Sequence, residues 1–202
     1  MTLCWKCNAE VDAVTSPRCA ACKALQPLPL GVGHFAVLGL PQSFAVTTEA
    51  LETAFRARSS QVHPDRFARA EAKERRISLE RTAAVNDAYS VLKHPERRAA
   101  YLTSRVGLKL DEKKADPATL MELMEAREWA DESAENKASL LHKTQAEHAA
   151  LLQTLAAQFA VVEGKQALGL REALEPVLST LTRLRFLGRL VEDLQGIREH
   201  QH

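Results

Sequence analysis

Aromatic residues are scarce in this chain, at 5% of 202 residues, and no apolar run reaches 18 residues. The second absence excludes a membrane-spanning helix on length alone, so no membrane partner is expected. The first weighs against nucleic acid as a partner, because the basic residues are interleaved with acids and no helix carries Arg or Asn at base-contacting spacing. No basic-then-apolar leader precedes position 4, and a cytoplasmic location is expected. A charge excess is missing too: 27 Lys and Arg stand against 26 Asp and Glu. That balance hides a dipole. Residues 31–110 carry 13 basic against 8 acidic side chains, and residues 111–202 carry 11 against 16. A basic middle can steer encounter with an acidic partner, an effect that salt weakens.

Cysteine is also rare, yet all four are used in one pattern: Cys4-Trp5-Lys6-Cys7, eleven residues, then Cys19-Ala20-Ala21-Cys22. Two CxxC pairs supply four soft thiolates converging on one point, the donor set of a closed, structural Zn²⁺ site. Two disulfides or a redox CxxC are the alternatives, but neither a secretory leader nor a βαβ pattern accompanies them. About 30 residues bury too little surface to fold alone, so the metal is expected to supply most of the knuckle's stability. Pro27, Pro29, Gly31 and Gly33 then read as a stiff linker.

The segment Gln61-Val62-His63-Pro64-Asp65-Arg66 interrupts two amphipathic patterns. Thr47-Thr48-Glu49 offers a helix start, and Leu51, Phe55 and Val62 recur at helical spacing, with Arg56 and Arg58 on the exposed side. Pro64 lacks an amide hydrogen and drives the preceding residue out of the α region, so the helix should end at or before His63. A second helix is expected from about Ala70 to Leu92. Its apolar stripe runs Ile77, Ala84, Val85, Ala88 and Leu92, leaving Lys73, Glu74, Arg75, Arg76, Glu80 and Arg81 in water. An isolated His-Pro-Asp is ordinarily a turn with a polar tip. Here the tip closes a helical hairpin.

Beyond Gly107 three long helical segments follow, with breaks near Asn136 and around Gly164–Gly169, which reads as a three-helix bundle. The first starts after Asp116-Pro117 and runs to about Glu135, with Leu120, Leu123, Met124 and Ala134 sharing a face. The second carries Leu140, Leu141, Leu151, Leu152, Leu155, Phe159 and Val162, and the third Leu170, Leu174, Val177, Leu181, Leu184 and Val191. Met121 and Phe186 fall off the core stripes. An exposed Met and Phe beside Glu125 and Glu128 fit a protein-binding patch, although scattered surface apolars are also ordinary.

No catalytic reading holds up. His63 and Asp65 have no nucleophilic Ser or Cys in company, and His142 and His148 are off the i, i+4 spacing of a helical metal pair.

Taken in order, Phe35-Ala36-Val37-Leu38-Gly39-Leu40-Pro41, His63-Pro64-Asp65, Val85-Asn86-Asp87-Ala88-Tyr89-Ser90-Val91-Leu92 and Pro95-Glu96-Arg97-Arg98-Ala99-Ala100-Tyr101 resemble a J-domain over residues 34–107. The resemblance implies that His63, Pro64 and Asp65 touch a DnaK-type chaperone, with Arg56 and Arg58 contributing attraction, and none performs bond chemistry. Thr119–Glu128 and Leu184-Arg185-Phe186-Leu187 further resemble the HscB family of iron–sulfur co-chaperones. That likeness implies an HscA partner for the J-domain. It also implies a bundle, residues 116–200, that binds an IscU-type scaffold through Leu120, Met121, Met124, Glu125, Glu128 and Phe186. The knuckle, residues 1–30 with Cys4, Cys7, Cys19 and Cys22, resembles the extension of eukaryotic members, which many bacterial members lack. The expectation is an all-α chain: a zinc knuckle, a J-domain hairpin and a three-helix bundle. Two rival readings are a general J-protein delivering unfolded clients and a zinc-dependent nucleic-acid module.

Overall fold

The computed structural model describes residues 2–110, 117–162 and 167–196, with the side chains of residues 117, 118, 120, 123, 167 and 168 outside the description. Two compact units divide the chain, residues 1–98 and 99–202. Helix dominates both, as the sequence predicts.

The first unit opens with a minimal hairpin. Strands β1 (Thr2–Leu3) and β2 (Glu10–Val11) pair antiparallel, Thr2 opposite Val11. Cys4, Val11 and Cys19 are buried together beneath them. After the linker come α1 (His34–Leu38), α2 (Thr48–Val62), a 3₁₀ turn (Pro64–Phe67) and α3 (Ala72–Lys93). Thr47 caps α2, its hydroxyl accepting from the Ala50 amide at 3.2 Å. α1 ends at Gly39, whose φ of 74° is the left-handed geometry a helix C-terminus favours. Leu51 and Val62 of α2, Phe35 and Leu38 of α1, and Ile77, Val85, Ala88 and Leu92 of α3 are all buried. Phe55 of the predicted α2 stripe stacks on Tyr89 of α3 with centroids 4.3 Å apart, a partner outside the stripe predicted for that helix.

Arg81 departs from the sequence reading. It is 5% exposed, not in water, and its guanidinium donates to the carbonyls of Gln26 (2.5 Å) and Ala13 (2.6 Å). Glu74, also expected outside, accepts from the Leu25 amide at 2.8 Å. Amphipathic spacing cannot reveal this, because the surface that covers this side of α3 is the knuckle and not another helix.

Helix α4 (Pro95–Arg105) runs across the boundary between the units. In the second unit α5 (Pro117–Asp131), α6 (Ala134–Val162) and α7 (Ala167–Leu194) form an up-down-up bundle, with α6 packed against both α5 and α7. Ala130, Leu140, Leu190 and Leu194 form a buried cluster at one end. The first break falls at Glu132–Ser133, before Asn136. Ser133 caps α6 through the Asn136 amide (3.1 Å), while the Asn136 side chain reaches back to the Trp129 carbonyl at the end of α5 (2.9 Å). Asn136 is thus a stop signal acting through its side chain. Ala134 belongs to α6 and is exposed, and Met124 is 64% exposed. Among the described side chains of α5, Ala126 and Ala130 pack inward, small residues that permit close approach; those of Leu120 and Leu123 lie outside the description.

Arg183 of α7 joins all three helices. It forms a fork on Glu122 of α5 (2.7 and 2.8 Å) and donates to Glu147 of α6 (2.8 Å). Its hydrogen bonds to Glu122 hold that carboxyl below its ordinary range. Because the folded pKa is depressed, the stabilisation is present above the unfolded value of about 4.3 and is lost as pH falls through the folded one. Glu122 is well exposed, so its share is under about 1 kcal/mol. Arg183→Met is expected to destabilise the bundle by about 1–2 kcal/mol in urea unfolding at pH 7. At pH 3 the difference from wild type should shrink.

Candidate functional site

The four cysteines come together. Their sulfurs all lie within 4.8 Å of one another, with Cys4 Sγ 3.6 Å from Cys22 Sγ and Cys7 Sγ 3.7 Å from Cys19 Sγ. None is in a disulfide. A tetrahedron with metal–sulfur bonds of about 2.3 Å has edges of about 3.8 Å, so this donor set fits a metal ion.

Each half of the site is built the same way. The Cys4 amide donates to Ala9 O (2.8 Å) and Asn8 N to Cys4 O (3.0 Å); the Cys19 amide donates to Ala24 O and Lys23 N to Cys19 O, both at 3.0 Å. Asn8 and Lys23 take positive φ, 58° and 63°, which turns the chain back over each CxxC. Burial raises the Cys4 thiol pKa, but the amides of Lys6 and Cys7 outweigh it and hold it at about 6. At Cys7 the Ala9 amide favours the thiolate, yet the crowding of Cys22, Cys4 and Cys19 pushes its pKa up to about 12. Four thiolates this close repel one another unless a cation sits among them. Among the described residues these four cysteines are the one group of metal-ligating side chains so gathered.

At the mouth of the hairpin, α2 ends at Val62 as the sequence predicts, with His63 in extended geometry. Pro64 cannot donate to Ser60 O, and Arg66 supplies the missing donor at 2.7 Å. The Val62 carbonyl accepts from the buried Ser78 hydroxyl at 2.6 Å and from Thr82 at 3.3 Å. His63 Nδ1 accepts the Asp65 amide at 3.3 Å and lies 3.5 Å from the Asp65 carboxylate. The result is a rigid turn whose His63 and Asp65 side chains are 53% and 90% exposed.

Arg56 is exposed but ion-paired to Glu52 at 3.0 Å. Arg58 is not on the open face expected of it. It donates to the Thr15 carbonyl of the knuckle at 3.1 Å and presses so close to Gly39 that a Cβ there would lie 2.5 Å from its Nη2.

On α5, Met121 and Met124 are 63% and 64% exposed, and Glu125 and Glu128 are exposed beside them. The Leu120 side chain lies outside the described residues. Phe186 of α7 is half-buried, one turn beyond the Arg183 that bridges to α5. Trp129, two turns from Met121 and 43% exposed, was not singled out by sequence, nor were Arg66 and Ser78. The X-Pro rule that predicts the helix end could have flagged Arg66 as the donor replacing the proline amide.

Residues 33–101 match the DnaJ domain, and residues 115–195 match the HSCB C-terminal oligomerisation domain. The co-chaperone protein HscB homolog of Bordetella petrii is 43% identical over 108 residues, and that of Vibrio vulnificus 40% identical over 104. These alignments span 52% and 50% of this chain and 64% and 61% of the relatives' own lengths. The human co-chaperone HscB structure superposes with a TM-score of 0.81 over 99% of this chain and 100% of its own, at 23% identity. HscB from Vibrio cholerae does so with 0.69 over 85% of this chain and 100% of its own, at 29% identity. The chain thus carries a DnaJ domain joined to an HSCB C-terminal domain. In sequence and in fold the chain is similar to HscB co-chaperones.

Ser78→Ala is expected to destabilise the first unit by about 1–2 kcal/mol, since it leaves the Val62 carbonyl with only the longer Thr82 contact. Thr82→Ala should cost less. Urea titration of both variants makes the comparison.

Proposed function

We propose that this chain is a two-ended adaptor of iron–sulfur cluster assembly. Residues 34–107 act as the J-domain, whose His63, Pro64 and Asp65 engage an HscA/DnaK-type chaperone and stimulate its ATP hydrolysis. Residues 116–200 present an IscU-type scaffold. The four thiolates of residues 1–30 hold a structural zinc ion, whose closed coordination leaves it no catalytic role. The adaptor works in the cytoplasm and itself makes or breaks no bond.

The observation that carries this reading is the exposure of Met121 and Met124 beside Glu125 and Glu128, on a chain whose other unit projects a proline-stiffened His-Asp tip. Two large apolar side chains left in water mark an interaction surface. Methionine adapts to an irregular partner, and the carboxylates restrict the choice to one with complementary charge. With both ends occupied, the scaffold meets the chaperone at the high local concentration that tethering creates. Hydrolysis then closes the chaperone on its client.

His63→Gln is expected to abolish stimulation in a chaperone ATPase assay while leaving scaffold affinity unchanged by calorimetry. Met124→Ser should do the reverse, weakening scaffold binding about tenfold with stimulation by excess protein intact. Stimulation that survives His63→Gln contradicts the J-domain role. Suppressed aggregation of many unfolded proteins, without selective scaffold binding, would favour a general client-delivery protein. Elemental analysis should find a single zinc ion per chain.

A further inference from the structure

We propose that the metal-loaded knuckle is the buttress that holds the His63–Asp65 turn in shape, and that metal loss loosens that turn. The knuckle grips both legs of the hairpin. On α2, Arg58 is fixed by the Thr15 carbonyl. On α3, the Arg81 guanidinium finds its hydrogen-bond acceptors in carbonyls of the knuckle and the linker that follows it.

The grip tightens toward the turn. Leu25 donates to Glu74, Lys6 pairs with Glu71 at 2.5 Å, and Lys73 lies 4.5 Å from the Trp5 ring centroid, so three positions at the start of α3 are tied to the metal-binding segment. Nearest the tip, the Arg18 guanidinium lies 4.9 Å over the ring of Phe67, the last residue of the 3₁₀ turn that contains Pro64 and Asp65. Phe67 is 3% exposed.

These contacts come from the loops around the two CxxC pairs: Lys6 lies inside the first, Arg18 precedes the second, and Leu25 follows it. A segment this small keeps its loops in place only while the thiolates are gathered, so the geometry points from metal to turn. Its consequence for chaperone stimulation rests on the docking role proposed for the turn; its test does not.

Hydrogen exchange on the full chain, before and after removal of the metal by a chelator, decides the matter. The reporters are the hydrogen-bonded amides of Arg66, Ala70 and Arg75. Expected is an acceleration of about tenfold at these amides on metal removal, with α6 and α7 unchanged. Arg18→Ala, with metal content intact and residues 2–26 still protected, should accelerate Arg66 and Ala70 about threefold, and Arg18→Lys should restore them by keeping a cation over the ring. Acceleration confined to residues 2–26 after chelation overturns the proposal. So does an unchanged turn in metal-loaded Arg18→Ala, which would leave the zinc assignment standing. A protein that purifies without metal and still protects the turn overturns both.

Discussion

The absent amide of Pro64 organises the first unit. A helix that stops there strands carbonyls that would otherwise be satisfied within it, and two of them are met by specific side chains: Ser60 O by Arg66, Val62 O by Ser78 and Thr82. Ser78 and Thr82 belong to the second helix of the hairpin, so closing off α2 also fixes where α3 lies. The His63 ring accepts the Asp65 amide, and both side chains remain largely exposed. Rigidity at the tip follows from backbone accounting, with no need for a large local core.

A second constraint is electrostatic. Burial pushes the Arg81 pKa down to about 10, with the nearby Arg58 charge adding to the effect, yet the guanidinium stays protonated at neutral pH. A cation removed from water needs oriented oxygens, and the carbonyls of Ala13 and Gln26 provide them. The knuckle is therefore fused to the hairpin by a polar bolt, and is not an appendage on a string. In the bundle Arg183 has the same geometry of one guanidinium serving several oxygens, but at a half-exposed site where the partners are carboxylates.

How much of this was legible in the sequence depends on the kind of signal. Local covalent rules carried well: Pro64 ended α2, Thr47 capped it, and the two CxxC pairs met at one point. Helical periodicity identified the core of the hairpin and most of α6 and α7. It failed where the covering surface was not a helix, which is why Arg81 and Arg58 were assigned to water. On α5 it placed Met124 on the shared face, where the structure exposes it, and passed over Ala126 and Ala130. The break expected near Asn136 falls a few residues earlier, at Glu132–Ser133, and the Asn136 side chain reaches back to the end of the preceding helix.

The chain has two tryptophans, and the fold gives one to each unit. Trp5 is hydrogen-bonded through its indole N–H to the Leu25 carbonyl at 2.7 Å with lysine ammonium groups against its face, whereas Trp129 stands 43% open to water. Surroundings so unlike give the two indoles different emission colours and different sensitivities to a dissolved quencher. Single-tryptophan versions of the protein would thus carry a native optical label on either half, without any attached dye.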